Sequence, residues 1–219
     1  MPPDLTRSLE LFAQEPCNIA LDEGAWLLRG FARSIEHELL AALEEVVAAA
    51  PLRHMMTPGG LSMSVAMTNC GNVGWVSDRK GYRYDASDNS SGHRWPAMPL
   101  LFAELATRAA EAGGYPAFKP DACLINRYEP GSRLSLHQDR NEHDFSKPIV
   151  SVSLGLDAVF LWGGQTRNAR VRRIPLTHGD VVVWGGATRL TFHGVLPLKD
   201  GVHPLTGHAR FNLTFRQAL

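Results

Sequence analysis

Apolar residues recur at helical spacing early in the chain. Ile35, Leu39, Leu43, Val46 and Val47 fall on one face of a helix that begins at Ser34, a suitable N-cap, and stops at Pro51. A second helix is predicted over 97–112, entered through Pro96 and Pro99 and ended by Gly113 and Gly114. Between them, residues 57–95 are rich in Gly and Ser and interrupted by Trp75, Tyr82 and Tyr84, a pattern of loops with embedded aromatics and brief hairpins. Beyond Asp121 the period changes to two, with short strands predicted at 123–128, 149–154, 159–162, 172–176, 181–184 and 210–215. No helical crossover separates them, so the sheet is antiparallel. The fold class is mainly β with flanking helices, a double-stranded β-helix (jelly roll) with two helices on one sheet.

Composition adds limits. At 44% hydrophobic and 20% charged, the 219 residues can bury a core. The longest apolar run, around 46–52, is far short of the roughly 18 residues of a membrane span, so no membrane partner is expected. Asp4 and Glu10 lie where a signal peptide would be basic and then apolar, and Cys17, Cys70 and Cys123 form no C-x-x-C pair. A cytoplasmic, monomeric protein is the expectation. The zero formal charge hides a division: residues 1–50 carry 3 basic and 9 acidic residues, the remainder 19 and 13. A polyanionic partner therefore stays open.

The histidines bring in chemistry. With 9 histidines and 11 aspartates, chance supplies roughly 0.45 H-x-D pairs, yet two occur, His137-Gln138-Asp139 and His178-Gly179-Asp180. If 134–139 is extended, His137 and Asp139 point to one side and can share an ion. The second pair, with glycine at its centre, reads as a structural turn opening the 181–184 strand. His193 is the candidate third ligand. Two imidazoles and a carboxylate suit non-haem Fe(II), although three protein ligands also suit zinc, and His193 could equally be a hydrogen-bonded core histidine. The segment Arg210-Phe211-Asn212-Leu213-Thr214-Phe215-Arg216 puts Arg210, Asn212, Thr214 and Arg216 on one face. Two guanidinium groups facing inward require anions, and a dicarboxylate keto-acid would answer both; on an edge strand they would be solvated instead. Asn126 and Tyr128 alternate in the same way.

The segments Leu124-Ile125-Asn126-Arg127-Tyr128, Leu134-Ser135-Leu136-His137-Gln138-Asp139, Gly179 to Gly186 and Arg210 to Arg216 resemble the AlkB family of Fe(II)- and 2-oxoglutarate-dependent oxygenases, nearest its bacterial members. Pro58-Gly59-Gly60 and Met63 to Gly71 match as well, and the resemblance extends from about Trp26 to Ala218. It implies His137, Asp139 and His193 as Fe(II) ligands. Arg210 would hold the distal carboxylate of 2-oxoglutarate and Arg216 the metal-chelating end, with Asn126, Tyr128 and Asn212 completing that site. With O2, the enzyme would hydroxylate the N-methyl group of an alkylated base such as 1-methyladenine or 3-methylcytosine, releasing formaldehyde as the keto-acid becomes succinate and CO2. The implied partner is alkylated single-stranded DNA, with RNA or double-stranded DNA as further candidates.

Trp75, Tyr82, Arg83, Tyr84, Asn141 and Arg167 correspond to the family's nucleotide contacts, Trp75 and His137 sandwiching the base. Taken without the family, the three aromatics could plug the core and Arg167 could lie on a solvated hairpin. The resemblance divides the chain into an extension with a nucleotide-recognition lid, 1–95, and a jelly-roll catalytic core, 96–219, its oxygenase domain at about 119–219. One position departs: Asn141 stands where the family pattern has an aspartate that meets the base, with Glu142 beside it as a compensating carboxylate. A related oxygenase of small molecules or proteins, or a noncatalytic nucleic-acid-binding jelly roll, would share much of this pattern.

Overall fold

The period-two segments pair throughout as antiparallel strands. The computed structural model describes residues 18–219; Asp4, Glu10 and Cys17 lie outside the described residues. In chain order the elements are β1 (Asn18–Asp22), β2 (Ala25–Leu28), helix α1 (Glu36–Ala49), β3 (Arg53–Met56), β4 (Ser62–Gly71), β5 (Gly74–Asp78), β6 (Gly81–Asp85) and helix α2 (Leu100–Ala112). There follow β7 (Ala122–Tyr128), β8 (Leu134–His137), β9 (Ile149–Gly155), β10 (Ala158–Trp162), β11 (Arg172–Leu176), β12 (Val181–Trp184), β13 (His193–Val195) and β14 (Arg210–Arg216). The major sheet has the order β1-β2-β12-β9-β14-β7-β4-β3, the minor sheet β11-β10-β13-β8, and β5-β6 form a separate hairpin.

The strict alternation of β14 explains the layering. Leu213 and Phe215 face the helices, in a core with Ile125 and Cys123 of β7, Val150 and Val152 of β9, Leu39, Leu43 and Val46 of α1, and Phe102, Leu105 and Ala109 of α2. The opposite face of the same sheet packs Leu124, Tyr128, Ile149 and Trp184 against Phe160, Trp162 and Val195 of the minor sheet. The functional side chains rise into that inter-sheet space.

Four sequence expectations are corrected. Ser34 does not cap α1: Arg33–Ile35 forms a 3-10 turn, and the helix starts behind Ile35 without a side-chain cap. Helix α2 starts at Leu100, because Pro99 holds its flanking position in an extended conformation. Ser62–Gly71, expected as loop, is a ten-residue strand paired with β7 over 66–71. It escaped the pattern because its buried polar residues have partners elsewhere: Thr68 donates to the Ala50 carbonyl, and Asn69 bonds the Trp75 backbone. A boundary at residue 95 would therefore cut through one continuous sheet.

The second H-x-D pair is structural, as expected. Gly179 has a positive φ of 82°, and a Cβ there would lie 2.5 Å from the Arg33 side chain. Buried Asp180 accepts from the Gly30 amide (2.9 Å), the Thr177 amide (2.8 Å) and Arg29 (2.6 Å). Asp180→Ala is expected to destabilise by about 3 kcal/mol in urea unfolding, with 2-oxoglutarate affinity of the folded protein unchanged. Cys70 and Cys123 are opposite one another on β4 and β7, both buried free thiols. No described helix is long and apolar enough to cross a membrane.

Candidate metal and keto-acid site

The minor sheet delivers both imidazoles by register. His193, at the start of β13, pairs directly with His137, the last residue of β8, and their rings lie 4.4 Å apart. Glycine at 194 permits this approach, since a Cβ would meet the Leu134 carbonyl at 2.6 Å. Each Nδ1 faces the carbonyl two residues back, His137 to Ser135 at 2.8 Å and His193 to Thr191 at 2.9 Å. A carbonyl only accepts, so each Nδ1 carries a proton, and in the neutral imidazole the lone pair is therefore on Nε2.

Both lone pairs face one carboxylate. Asp139 lies two residues beyond β8, not within it, with Oδ1 3.7 Å from His137 Nε2 and Oδ2 3.8 Å from His193 Nε2. The three ligand atoms lie within 4.8 Å of one another. Burial pushes His193 down to about 4, assisted by the neighbouring His137, so this imidazole is neutral at physiological pH. Burial raises the Asp139 carboxyl, but Arg216 and the two imidazoles outweigh it and hold the group well below the usual carboxylate range. The fold thus gathers the three residues that the sequence offered as candidate ligands.

Behind this cluster, β14 lies between β9 and β7. Arg210 is 1% exposed, donates from Nη2 to Ser153 Oγ at 3.0 Å and lies over the Tyr128 ring at 4.9 Å. Its Nε and Nη1 are buried without a partner. Arg216 grips Asp139 Oδ2 through Nη2 at 2.6 Å and Nε at 3.2 Å, while its Nη1 is also buried and unpartnered. Buried charged donors without acceptors are costly, and this observation tests the fit: a dicarboxylate supplies what they lack. Asn126 presents an unpartnered buried Oδ1, and burial pushes the Tyr128 phenol up to about 12 against the pull of Arg210. Asn212 behaves differently. Its amide donates to Ser151 Oγ and the Val152 carbonyl and accepts from Thr214 and Asn126, so it braces the site from within the sheet.

The β5–β6 hairpin carries the aromatic residues. Trp75 is opposite Tyr84 and diagonal to Tyr82, which puts all three on one face, and Trp75 stacks on Tyr82 at 5.5 Å and 15°. Tyr82 is exposed. Asn141 Oδ1 accepts from Trp75 Nε1 at 3.1 Å and its Nδ2 donates to the Tyr82 carbonyl at 3.5 Å, a donation an aspartate could not make.

The remaining candidate contacts have partners within the protein. Arg83 is paired with Asp78 through two 3.0 Å bonds inside the hairpin. Tyr84 turns inward and donates to Glu142 at 2.6 Å. Glu142 is buried against Arg189 and Arg216, so it does not compensate for the missing charge at Asn141. Exposed Arg167 lies with its guanidinium 5.4 Å from the Phe192 ring. Sequence reasoning gave no role to Arg189 or to Asn69; Arg189 follows a short 3-10 turn that carries no periodic signal.

Comparison with known proteins agrees with this geometry. A family described as the 2OG-Fe(II) oxygenase superfamily matches residues 24–216. The chain is 56% identical over 211 residues to the Escherichia coli (strain K12) protein named alpha-ketoglutarate-dependent dioxygenase AlkB, covering 96% of this chain and 98% of that one. The chain belongs to the AlkB family of 2OG-Fe(II) oxygenases. As an AlkB-family dioxygenase it is an enzyme that uses Fe(II), 2-oxoglutarate and O2. It is also 37% identical over 130 residues to the Mus musculus protein named nucleic acid dioxygenase ALKBH1, covering 58% of this chain and 33% of that one. Among solved structures, that of OsALKBH1 superposes with a TM-score of 0.79 at 28% identity, covering 92% of this chain and all of that one. The 2OG-Fe(II) oxygenase superfamily match begins at residue 24, so it takes in β2 to β4 as well as the later strands.

Proposed function

We propose that this chain is an oxidative demethylase of N-alkylated bases, of the 1-methyladenine and 3-methylcytosine type, in nucleic acid. Single-stranded DNA is its preferred substrate, and it acts as a cytoplasmic monomer. The observation that carries the reading is the bridge made by Asn141, which joins the Trp75–Tyr82 stack to the segment that follows His137 at the end of β8 and carries Asp139. A relative named a nucleic acid dioxygenase supports the same substrate class.

His137, Asp139 and His193 would hold Fe(II), and Arg210, Arg216, Asn126 and Tyr128 would hold 2-oxoglutarate. With O2 the bound metal and keto-acid supply hydroxylation of the N-methyl carbon, coupled to oxidation of 2-oxoglutarate to succinate and CO2. The protein's own part is positional and electrostatic. Neutral His193 offers a lone pair, Arg216 keeps Asp139 ionised and oriented, and buried Arg210 would hold the far carboxylate through its unpartnered Nε and Nη1. A base within a stack is out of reach, so a flipped or single-stranded nucleotide must enter beneath the hairpin. The N-hydroxymethyl product then loses formaldehyde and leaves an N–H base.

The test is mass spectrometry of a 1-methyladenine oligonucleotide incubated with Fe(II), 2-oxoglutarate and O2. One methylene mass should be lost per lesion, faster from single strand than from duplex. Turnover of the keto-acid with no change in any methylated DNA or RNA would refute the reading. Trp75→Ala should weaken lesion binding by about tenfold, since stacking on an aromatic ring contributes about 1–3 kcal/mol per base. Fluorescence anisotropy reads that loss, and 2-oxoglutarate affinity should be unchanged.

A further inference from the structure

Glu142 is a buried carboxylate in the segment just beyond the metal-ligand cluster, and no role proposed above uses it. Its side chain is 2% exposed, and such a group persists as an anion only when its oxygens are well paired. Oε2 accepts from Arg189 Nη2 at 2.9 Å. Oε1 accepts from the Tyr84 hydroxyl at 2.6 Å and lies 3.3 Å from Arg216 Nε. Arg189 is fixed in turn: it donates to the Asp139 carbonyl at 2.8 Å and the Lys147 carbonyl at 2.9 Å and lies over the Phe145 ring.

We infer that Glu142 is a positioning residue that pins the β5–β6 hairpin over the site by holding the Tyr84 hydroxyl from an Arg189-anchored carboxylate. This rests on the demethylase reading only for what the hairpin recognises. The pin acts on the recognition ring because Tyr84 is the direct cross-strand neighbour of Trp75, so fixing one residue sets the height of the other. A bond from hydroxyl to carboxylate at 2.6 Å is charge-assisted and directional, stronger than the neutral contacts of Ser77 to the Met56 carbonyl and Trp95 to the Asp85 carbonyl that also tether the hairpin. Arg216 touches the same oxygen, so the recognition hairpin and the Asp139 carboxylate share one anchor.

The test uses the full chain and Tyr84→Phe, which removes a single oxygen. Amide hydrogen exchange over residues 74–85 should accelerate by about tenfold or more, while β7 and β14 amides change less than about twofold. Dissociation constants for a 1-methyladenine single strand should rise about 3- to 10-fold by fluorescence anisotropy, with 2-oxoglutarate affinity by calorimetry within about twofold. Combining Tyr84→Phe with Glu142→Gln should weaken oligonucleotide binding no more than the weaker single variant does. Unchanged hairpin exchange, additive losses, or keto-acid affinity falling as far as oligonucleotide affinity would each overturn the pin. Should the wild-type chain bind no methylated strand at all, the demethylase reading falls while the exchange measurement still decides the pin.

Discussion

Arg210→Met is expected to give a folded protein that is more stable than wild type in urea yet has lost measurable 2-oxoglutarate binding. The two effects have opposite signs for one reason. Arg210 is a buried cation whose Nε and Nη1 have no acceptor within the protein, and its side-chain bond goes to neutral Ser153. Methionine fills a similar volume without that desolvation cost, and replacing buried charge with apolar side chains is commonly neutral or stabilising by about 1–4 kcal/mol. Binding depends on the same charge. Removing one partner of a buried charge pair costs about 2–5 kcal/mol, so 2-oxoglutarate affinity should fall by about 30-fold or more. Paired calorimetry and urea unfolding check both signs. A destabilised variant with normal keto-acid affinity would show Arg210 to be a structural cation.

Asp139→Ala should leave less than about 1% of wild-type turnover. Loss of partners behind a metal ligand alone costs about 10- to 100-fold, and this change removes a ligand itself. It also removes the acceptor of two Arg216 bonds, leaving that guanidinium with Glu142 at 3.3 Å, so stability should fall by about 3 kcal/mol. Asp139→Asn separates the two losses: it keeps an oxygen for Arg216 and should recover much of the stability but little of the turnover. Full turnover in either variant would contradict the ligand assignment.

The parts of this account that were legible in the sequence are those set by short-range periodicity. On β14 a period of two put Arg210, Asn212 and Arg216 on one face and Phe211, Leu213 and Phe215 on the other, and the sheet keeps that division. His137 and Asp139 were found the same way, although β8 ends before Asp139 and the convergence is completed by the chain beyond it. Long-range partners were not legible. Tyr82 and Tyr84 have the same spacing signal, yet Tyr82 stacks outward on Trp75 while Tyr84 ends on Glu142, 58 residues away. The pairing of Arg83 with Asp78 was not legible either, because it forms only once the hairpin closes. Strand β4 was hidden because Thr68 and Asn69 are polar residues satisfied by Ala50 and Trp75, contacts no local pattern records.

On the proposed reading, the hairpin and Asn141 would select the substrate, while the His137, Asp139 and His193 cluster and the β14 arginines would serve the oxygenase chemistry. A small-molecule oxygenase would share the ligand cluster and the arginines, so the Trp75–Tyr82 pair joined to Asn141 is what favours a base.

The most direct measurement is calorimetric titration of the full chain with Mn(II) under nitrogen, in the presence and absence of 2-oxoglutarate. The account predicts one site per chain, tightened at least about tenfold by the keto-acid and abolished by His193→Ala. Metal binding that survives the loss of both His137 and His193, or that is indifferent to 2-oxoglutarate, would contradict it.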